Sequence, residues 1–399
     1  MPKALLLENI HPDAAKSLRD HGFEVETMKG ALSEDELIDA LDGVDLVGVR
    51  SKTNVTARVL DARPTLSAIG CFCIGTNQVD LAHAGKRGIA VFNAPYSNTR
   101  SVVELVICDI ICLMRRIPAH THHIKHGLWD KSASGSHEVR GKTLGIIGYG
   151  NIGSQLSVVA EALGMRVLFY DIEEKLAMGN AHRCDTLNEL LEQSDVVTLH
   201  VDGRKSNTGF FGEDQFEHMK QDAIFINLSR GFVADLDALK KHLDSGHLSG
   251  AAVDVFPIEP KKTGDEFLTD LADEDNMILT PHIGGSTLEA QKSIGQFVSQ
   301  RLEDYWFKGS TMLSVNLPQI TLSDIKSNFR IAQLHANLPG VLARVNRVLG
   351  EDGINIAAQA LGTEGEIGYV VTDVAQRPDQ KALDQLASIE GTIRMRVIS

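Results

Sequence analysis

The stretch Gly148-Tyr149-Gly150-Asn151-Ile152-Gly153 decides the fold of the central part of this chain. It has the form GxGxxG, follows the apolar run Thr143–Ile147 and precedes a predicted helix, Ser154–Leu163. The first glycine permits a tight turn, the second lets the backbone approach a pyrophosphate, and the third lets helix and strand pack closely. A helix that begins here offers unpaired N–H groups to phosphates. The motif therefore predicts a strand, a phosphate-binding turn and a helix.

An acidic residue completes this predicted dinucleotide site. Asp171 follows the next predicted strand, Arg166–Tyr170, where its carboxylate can bond both hydroxyls of a ribose. It would also repel the 2′-phosphate of NADP, so the predicted cofactor is NAD. A GxGxxG stretch alone often marks only a tight turn, but here the strand, the helix and the acid are all in place.

Strand and helix patterns alternate on both sides of the motif, as parallel α/β sheets require. The apolar runs of the block before it are Ala4–Leu7, Leu46–Val49, Ala68–Ile69 and Ala90–Phe92. The central block opens with an apolar helix, Val102–Met114, and its later predicted strands are Asp195–His200, Ala223–Asn227, Gly250–Val255 and Met277–Leu279. We therefore predict two Rossmann-like, doubly wound parallel sheets.

The last part of the chain has a different pattern. After a long predicted helix, Ser286–Trp306, and a linker containing Gly309-Ser310 and Pro318, a compact block begins near Lys326. Its elements follow the order βαββαβ of a ferredoxin-like domain. They are the strands Phe329–His335, Ile354–Gly362, Ile367–Asp373 and Thr392–Ile398, and the helices Val341–Leu349 and Gln380–Ala387.

Composition limits the function classes. The 399 residues suggest two or three domains, and 39 basic against 53 acidic residues give a net charge of -14. That balance opposes nucleic-acid or anionic-membrane binding as a main role. No secretory signal or membrane span is visible, and five cysteines without a C-x-x-C pair are typical of a reducing compartment. We expect a soluble, cytoplasmic protein.

Three charged residues stand at or just past predicted strand ends of the central block: Arg230, Glu259 and His282. Ligands of open α/β sheets bind at the carboxyl ends of strands, so the three side chains are expected to meet there. A histidine can accept the hydroxyl proton when hydride leaves a secondary alcohol, and a carboxylate on its other ring nitrogen fixes the tautomer. Arginine binds a substrate carboxylate through two parallel hydrogen bonds. Taken singly, Arg230 is equally well a surface ion-pair residue and His282 a capped histidine.

Four motifs, GYGNIG (148–153), NLSRG (227–231), DVFPIEP (254–260) and TPHIGGST (280–287), resemble the signatures of the D-isomer-specific 2-hydroxyacid dehydrogenases. The resemblance covers about the first 320 residues. It implies a discontinuous substrate domain, 1–97 and 285–325, and an inserted NAD domain, 98–284. It also implies His282 as general acid/base, Glu259 as its partner and Arg230 as the carboxylate ligand. The implied cofactor contacts are Gly148, Gly150, Asn151, Ile152, Gly153, Asp171, Leu228, Ser229, Arg230, Asp254, His282, Ile283, Gly284 and Gly285.

One departure from the family pattern lies near the cofactor loop. After Leu199-His200-Val201 the family usually has proline, whereas this chain has Asp202-Gly203. The conformation of this loop is therefore left open.

Segments 70–80 and 92–102 resemble the members of the family that oxidise 3-phosphoglycerate on the way to L-serine. This implies Gly75, Thr76 and Asn98 beside the substrate carboxylate. A phosphate also needs cations, for which Arg50 is the best candidate. Its neighbours Ser51 and Lys52, and Lys131, are further substrate candidates. Lysine replaces an arginine that relatives often carry at position 52, so weaker phosphate binding is expected there. Alternatively, Arg50 and Lys52 form a solvated strand end.

The segment His335–Leu342 resembles the opening of an ACT domain, a ferredoxin-like module that binds amino acids. The resemblance implies that the last domain, 326–399, binds the effector L-serine, which inhibits. His335, Asn337 and, from a neighbouring ACT domain, Asn355 are the implied contacts. Paired ACT domains also imply a homo-oligomer, and the resemblance implies a tetramer through ACT and nucleotide domains. The alternative is a dimerisation module that binds nothing.

Two alternatives at the level of the whole protein stay open. One is another member of the same family, such as a glycerate, lactate or 2-oxoglutarate reductase, and reduction of 2-oxoglutarate is also conceivable as a side activity. The other is an NAD-sensing scaffold like the C-terminal-binding-protein co-repressors, against which the amino-acid-binding domain argues.

A histidine cluster, His120, His122, His123 and His126, is the one further candidate for chemistry. His122 and His126 are one helical turn apart, as in many metal sites. No acid or cysteine is expected nearby to complete a ligand set, so the pattern favours a solvated helix face and no metal.

Overall fold

The structure, a computed structural model, describes residues 1–260, 264–322 and 329–398. The chain divides into two compact units, one made of Met1–Ser97 and Gln291–Ser399, the other of Asn98–Ala290. The predicted start of the last domain near Lys326, and its end at Ser399, lie outside the described residues. The second unit continues to Ala290, a few residues past the predicted limit of the NAD domain.

The first unit contains a five-stranded parallel sheet in the order β2-β1-β3-β4-β5. Its strands are β1 (Lys3–Leu6), β2 (Glu24–Thr27), β3 (Leu46–Val49), β4 (Ala68–Cys71) and β5 (Ala90–Phe92). Its helices are α1 (Pro12–Asp20), α2 (Glu34–Ala40), α3 (Ala57–Ala62) and α4 (Leu81–Lys86). The central strands are buried on both faces, which explains their uninterrupted apolar sequences.

The second unit contains a seven-stranded parallel sheet in the order β12-β11-β10-β9-β6-β7-β8. Its strands are β6 (Thr143–Ile147), β7 (Arg166–Tyr170), β8 (His182–Arg183), β9 (Val196–Leu199), β10 (Ala223–Asn227), β11 (Leu248–Val253) and β12 (Met277–Leu279). Its helices are α5 (Thr99–Met114), α6 (Ile117–Lys125), α7 (Asn151–Ala162), α8 (Leu187–Gln193), α9 (Glu213–His218) and α10 (Leu236–Asp244). The strand order reverses direction between β6 and β9, which is where a doubly wound sheet binds its ligand.

A long helix, α11 (Leu288–Lys308), leads back into the first unit, where a second, antiparallel sheet has the order β14-β15-β13-β16. Its elements are β13 (Phe329–Ala336), α12 (Val341–Glu351), β14 (Ile356–Glu364), β15 (Ile367–Val374), α13 (Gln380–Ala387) and β16 (Thr392–Ile398). The two parallel sheets and this ferredoxin-like βαββαβ domain together confirm the predicted fold class.

The two faces of the antiparallel sheet pack against different partners. Ile331 belongs to a core shared with α12 and α13. Ala332 and Leu334, on the opposite face of β13, belong instead to a core that includes Tyr305 of α11 and Phe92 of β5. The last domain therefore shares one hydrophobic core with the parallel sheet of the first unit, rather than being joined to it only by the linker.

Two further observations concern the whole chain. In the described ranges, no helix combines the length and the apolar character that crossing a membrane requires. None of the five cysteines, all of them described, forms a disulfide.

Candidate active site

Each of the three glycines of the GxGxxG turn meets a different structural requirement. Gly148 has φ +93°, and a Cβ there would lie 2.7 Å from the carbonyl of His200. A Cβ on Gly153 would lie 2.3 Å from the carbonyl oxygen of Gly148, because the start of α7 packs directly on the turn. At Gly150, by contrast, a Cβ would meet nothing within 4 Å. The open side of Gly150 leaves the backbone accessible to a ligand.

Asp171 follows β7 and helps to shape the same turn. One oxygen of its carboxylate accepts a hydrogen bond from the backbone N–H of Tyr149 at 2.7 Å, and the other accepts one from that of Glu173 at 2.9 Å. Each carboxylate oxygen has a second lone pair, which leaves acceptors for the hydroxyls of a ribose. Asn151 and Ile152 form the first turn of α7, where N–H groups lack partners within the helix.

The loop after β10 carries Leu228, Ser229 and Arg230, and it is held by the last residue of the strand. The side chain of Asn227 is fully buried and accepts hydrogen bonds from the backbone N–H of Ser229 at 3.0 Å and from its hydroxyl at 2.8 Å. The same amide donates to the carbonyl of Arg230 at 3.2 Å. Sequence reasoning missed Asn227, because a residue that holds a backbone loop has no characteristic spacing.

Asp254 follows β11 and has a role that the sequence did not indicate. Its buried carboxylate accepts hydrogen bonds from the backbone N–H groups of Ile283 and Gly284, both at 2.8 Å, and from the hydroxyl of Thr280 at 2.6 Å. Asp254 therefore fixes the segment that contains His282. A Cβ on Gly284 would lie 3.0 Å from the Asp254 carboxylate, a tight contact that glycine avoids.

His282 and Glu259 lie in contact, as the sequence predicts. Nδ1 of His282 lies 2.9 Å from one carboxylate oxygen of Glu259 and 3.1 Å from the other. His282 has φ 56°, a left-handed conformation that is uncommon for a residue with a side chain. Its backbone N–H donates to the carbonyl of Asp254 at 2.8 Å, which helps to hold this conformation. Such strain is concentrated at functional sites.

The pair also determines the charge states of both groups. The hydrogen bond with Glu259 raises the pKa of His282 against the opposing effect of burial, and the charges of Glu259 and Asp254 add to the increase. Partial burial acts to raise the pKa of Glu259, but the hydrogen bond and the charge of His282 outweigh it and lower that pKa. Glu259 is thus ionised near neutral pH and bound to Nδ1, which leaves Nε2 of His282 for a substrate hydroxyl.

The charge of Arg230 acts on both members of this pair. Its positive charge acts to lower the pKa of Glu259 and also that of His282. One guanidinium N–H donates to the carbonyl of Ser229 at 2.7 Å, and the side chain is half-buried. The structure thus brings the three predicted catalytic residues to the carboxyl ends of strands of one sheet.

The loop that departs from the family pattern is organised by Asp202. Its carboxylate accepts hydrogen bonds from the side chain of Arg204 at 2.8 Å and from Asn207 at 3.1 Å. The hydrogen bond from Arg204 lowers the pKa of Asp202. An acid with two local partners therefore occupies the position where the family usually has proline.

The residues of the second unit fit NAD. The open side of Gly150 and the remaining lone pairs of Asp171 suit a pyrophosphate and a ribose. The side-chain oxygen of Asn98, a predicted substrate residue, is buried without a hydrogen-bond partner in the described part of the chain. A bound ligand that donates an N–H or O–H group there would satisfy it.

The predicted substrate residues of the first unit lie on two neighbouring loops. The buried carboxylate of Glu8 accepts hydrogen bonds from the backbone N–H groups of Arg50, Lys52 and Thr53 at 3.1, 3.0 and 2.9 Å. These bonds fix the loop after β3, including the exposed Ser51. Sequence reasoning missed Glu8, which lies far from the loop along the chain.

A second missed residue, the buried Gln78, joins the two loops. Its amide donates to the carbonyl of Arg50 at 2.6 Å and to that of Gly75 at 3.3 Å. Gly75 and Thr76 are half-buried on this loop after β4. Lys131, the remaining predicted substrate residue, is exposed in the second unit.

Of the predicted effector residues, His335 and Asn337 lie at one end of the antiparallel sheet, and Asn355 lies at the other. His335 is buried, its Nδ1 lies 2.8 Å from the carbonyl of Ala336, and its Nε2 has no hydrogen-bond partner within the described residues. A Cβ on Gly368 would lie 2.2 Å from the His335 ring, so glycine is needed opposite it. Asn337 is exposed and donates to the carbonyl of Gly365 at 3.1 Å, and Asn355 is exposed after α12.

The expectation that no acid lies near the histidine cluster is wrong. The carboxylate of Asp130 lies 3.7 Å from Nδ1 of His123, because the chain turns back sharply after α6. His122 and His126, the pair considered as possible metal ligands, form a stacked ring contact with centroids 4.1 Å apart.

Comparisons with known proteins give the family. A sequence model of the D-isomer specific 2-hydroxyacid dehydrogenase NAD binding domain matches residues 107–284, and a model of the AHAS small subunit-like ACT domain matches residues 331–394. The chain is 50% identical over 397 residues to D-3-phosphoglycerate dehydrogenase of Haemophilus influenzae, which covers 99% of this chain and 97% of that protein. It is 49% identical to the Escherichia coli protein of the same name and 46% identical to that of Dictyostelium discoideum, each again covering 99% of this chain and 97% of the relative.

Solved structures agree with this assignment. A D-lactate dehydrogenase from Aquifex aeolicus, complexed with NAD and lactic acid, has a TM-score of 0.65 and 28% identity, covering 76% of this chain and 95% of that one. A putative D-isomer specific 2-hydroxyacid dehydrogenase from Polaromonas has a TM-score of 0.69 and 27% identity, covering 76% and 96%. The predictions of an enzyme and of NAD as its cofactor are confirmed. The chain belongs to the NAD-dependent D-isomer-specific 2-hydroxyacid dehydrogenases, and within them it groups with the D-3-phosphoglycerate dehydrogenases.

Proposed function

We propose that this protein oxidises 3-phospho-D-glycerate to 3-phosphohydroxypyruvate, the first step of L-serine biosynthesis. The observation that carries the proposal is the contact of His282 with Glu259 at 2.9 Å, in a chain that aligns over 99% of its length with D-3-phosphoglycerate dehydrogenases. The contact supplies the acid–base chemistry of a secondary alcohol, and the relatives supply the substrate class.

The proton step belongs to His282. Since Glu259 holds Nδ1, the free Nε2 accepts the proton of the substrate C2 hydroxyl, and the carboxylate stabilises the imidazolium that forms. NAD, when bound, accepts the hydride from C2. In the reverse direction His282 returns the proton to the carbonyl oxygen, a role that its raised pKa favours.

Arg230 binds the substrate carboxylate in the proposed mechanism. A guanidinium can offer two parallel N–H donors to a carboxylate, and its positive charge polarises the carbonyl that develops at C2. Asn227 keeps the Arg230 backbone in place through the bond to its carbonyl. Asn98, Gly75 and Thr76 are proposed further contacts of the carboxylate.

Phosphate recognition is assigned to Arg50, with Ser51, Lys52 and Lys131 in support. Glu8 binds three backbone N–H groups of the loop and so presents the Arg50 and Lys52 side chains from a fixed backbone. Carboxylate hydrogen bonds of this kind are stronger than those between neutral groups.

The test is steady-state kinetics with NAD and a panel of 3-phosphoglycerate, glycerate, lactate and 2-hydroxyglutarate, together with the reverse reaction on 2-oxoglutarate. We expect 3-phosphoglycerate to have the highest kcat/KM. Arg50→Ala should raise its KM about tenfold or more but change the KM of glycerate little. Equal values for glycerate and phosphoglycerate would contradict the phosphate assignment.

A second variant tests the chemistry. His282→Ala should lower turnover about a hundredfold or more, because the proton acceptor is lost, while NADH binding stays near normal. Unchanged turnover would rule out the assignment of His282. The same panel decides whether the protein also reduces 2-oxoglutarate, a side activity that we include in the proposal.

Regulation by L-serine is the second part of the proposal. The ACT family match covers residues 331–394, and the buried Nε2 of His335 lacks a partner in the described chain, as expected of a group that binds a ligand. His335 and Asn337 of one chain would bind serine with Asn355 of a neighbouring chain, in a homo-oligomer that we propose to be a tetramer. The proposed setting is the cytoplasm, which suits five cysteines that form no disulfide.

Activity with added L-serine tests this part. Wild-type activity should fall as serine is added, and Asn337→Ala should remove the effect without changing activity in its absence. Full activity at saturating serine would contradict the proposal. Light scattering during size-exclusion chromatography gives the oligomeric state in the same preparations.

A further inference from the structure

The histidine-rich helix α6 places two of its imidazoles beside a carboxylate. His120 and His123 are one turn apart, with ring centroids separated by 6.4 Å. One potential ligand atom from each of His120, His123 and Asp130 lies within 4.8 Å of the other two. The three residues, called here the His–His–Asp cluster, use side chains to which neither the NAD site nor the ACT domain assigns a role.

The turn after α6 brings the carboxylate to the helix. Gly127 has φ +80°, its N–H donates to the carbonyl of Ile124, and the N–H of Leu128 donates to that of His123. This is the Schellman arrangement that glycine favours at a helix end. It reverses the chain, so that Asp130 lies beside His123 rather than beyond the end of the helix.

The polar atoms of the cluster are only partly satisfied. One oxygen of Asp130 accepts a hydrogen bond from the backbone N–H of Ser132 at 2.8 Å, which orients the carboxylate, and the other oxygen lies 3.7 Å from Nδ1 of His123. That Nδ1 is buried and has no hydrogen-bond partner in the described part of the chain. A buried polar atom without a partner is energetically unfavourable, so it calls for an explanation.

We propose that the His–His–Asp cluster binds one divalent metal ion of the zinc type. Two imidazole nitrogens and one carboxylate oxygen are suitable ligands for Zn²⁺, whereas Mg²⁺ and Ca²⁺ prefer oxygen alone. Ligand atoms around a tetrahedral zinc ion lie about 3.3 Å apart, close to the observed 3.7 Å between His123 and Asp130. Three protein ligands leave a fourth position for water.

The neighbouring ring pair does not offer a second site of this kind. His122 and His126 stack with an interplanar angle of 29°, and Nδ1 of His126 lies 2.9 Å from the carbonyl of His122. That contact occupies one nitrogen of His126. His122 is therefore a matched control: it is a histidine on the same helix, next to His123 and outside the cluster.

Metal binding would have a local structural effect. The bound ion would link α6 to Asp130 and so restrict the turn between them and the start of the following segment. Residue 131 is the lysine that we assign to the substrate phosphate, but the metal site does not depend on that assignment.

The experiment measures Zn²⁺ binding to the full-length protein after treatment with a chelator, by isothermal titration calorimetry. Wild-type protein should bind one Zn²⁺ that His123→Ala loses. Asp130→Asn should weaken this binding about tenfold or more, while His122→Ala should retain it. Hydrogen exchange should show Zn²⁺-dependent protection of residues 127–131 in the wild type and in His122→Ala, but not in His123→Ala.

Two results would overturn the proposal. One is Zn²⁺ binding of the same affinity in His123→Ala as in the wild type. The other is an equal loss in His122→Ala and His123→Ala, which would assign the binding to the helix as a whole rather than to the cluster. Thermal unfolding of each variant without metal confirms that the folds being compared are equivalent.

Discussion

Two carboxylates position His282, one through its ring and the other through its backbone. Glu259 contacts Nδ1, whereas Asp254 accepts from the N–H groups of Ile283 and Gly284, and its carbonyl accepts from His282 itself. Glu259 therefore controls the tautomer and pKa of the imidazole, and Asp254 controls where the imidazole lies. Variants of the two acids should have different kinetic effects.

Glu259→Gln should lower kcat roughly tenfold or more and move the pH profile. The carboxylate raises the pKa of His282 chiefly through their hydrogen bond, so its removal should lower that pKa. Alcohol oxidation needs neutral His282, and the acidic limb of log kcat/KM against pH should therefore shift to lower pH. Glu192→Gln, a change at an exposed position of α8, is the control. A profile that does not move, or that moves to higher pH, would contradict this account of His282.

Glu8→Gln tests whether a buried acid positions the loop after β3, to which we assign phosphate binding. The amide replaces one acceptor oxygen with a donor that faces backbone N–H groups of residues 50–53. We expect the KM for 3-phosphoglycerate to rise about tenfold, with the Kd for NADH unchanged. Glu24→Gln on β2, where the side chain is exposed, should change neither value. An effect on kcat alone, without KM, would argue against a positioning role.

Helix α5 contains a buried acidic residue on its apolar side. Asp109 is only 3% exposed, among the valines and leucines that pack against the nucleotide-binding sheet. Burial, assisted by the negative charge of Asp254, raises the pKa of Asp109 to about 7. The side chain is therefore protonated over part of the physiological range.

Asp109 should make stability depend on pH. Its pKa in the folded protein lies above the ordinary value of 3.8, so the folded state binds this proton more tightly than the unfolded state. Its contribution to the free energy of unfolding is thus complete below about pH 4 and is lost as pH rises towards 7. Asp109→Asn, which stays neutral, should flatten the dependence between pH 4 and 7. Urea unfolding at several pH values, with exposed Asp273→Asn as the control, measures it. An unchanged slope in Asp109→Asn would show that other groups produce it.

The elements also show which parts of the fold could be predicted. The central strands of both parallel sheets are buried on both faces, and their apolar runs were found because sequence and environment agree. Strand β2, Glu24–Thr27, is an edge strand whose residues are mostly exposed, and β8 has only two residues. Neither has an apolar pattern, because neither is buried.

The site was predictable to a similar extent. His282, Glu259 and Arg230, the proposed catalytic residues, follow recognisable strands, so motif and position pointed to them together. Residues that act on the backbone of a distant loop, such as Glu8 and Gln78, give no local signal. Asp130 was missed for a related reason, since its place depends on the turn at Gly127 rather than on helical spacing.

The side chain of Arg330 joins the ACT domain to α11, in addition to the shared core. Arg330 on β13 is fully buried, and its guanidinium donates to both carboxylate oxygens of Asp373 on β15, at 2.6 and 2.8 Å. A third N–H donates to the carbonyl of Lys308 at the end of α11, at 2.7 Å. One side chain therefore connects the sheet to the helix that enters the unit.

Asp373→Ala should lower the free energy of unfolding by about 3–5 kcal/mol, because it removes the carboxylate that accepts two hydrogen bonds from the buried guanidinium. The double variant Arg330→Met, Asp373→Leu removes both charges and should recover part of that loss. Urea unfolding of the two variants and the wild type measures the difference. A single variant as stable as the wild type would show that water or another acid replaces Asp373.

The shared core has a consequence for communication between ligands. On strand β13, residues that face α12 and α13 alternate with residues that pack in one core with Tyr305 and Phe92. If an effector favours one arrangement of that strand, it changes the free energy of the parallel-sheet domain that packs against the strand. Thermodynamic linkage then requires reciprocity: a substrate whose affinity drops by a given factor in the presence of the effector must weaken the effector by the same factor.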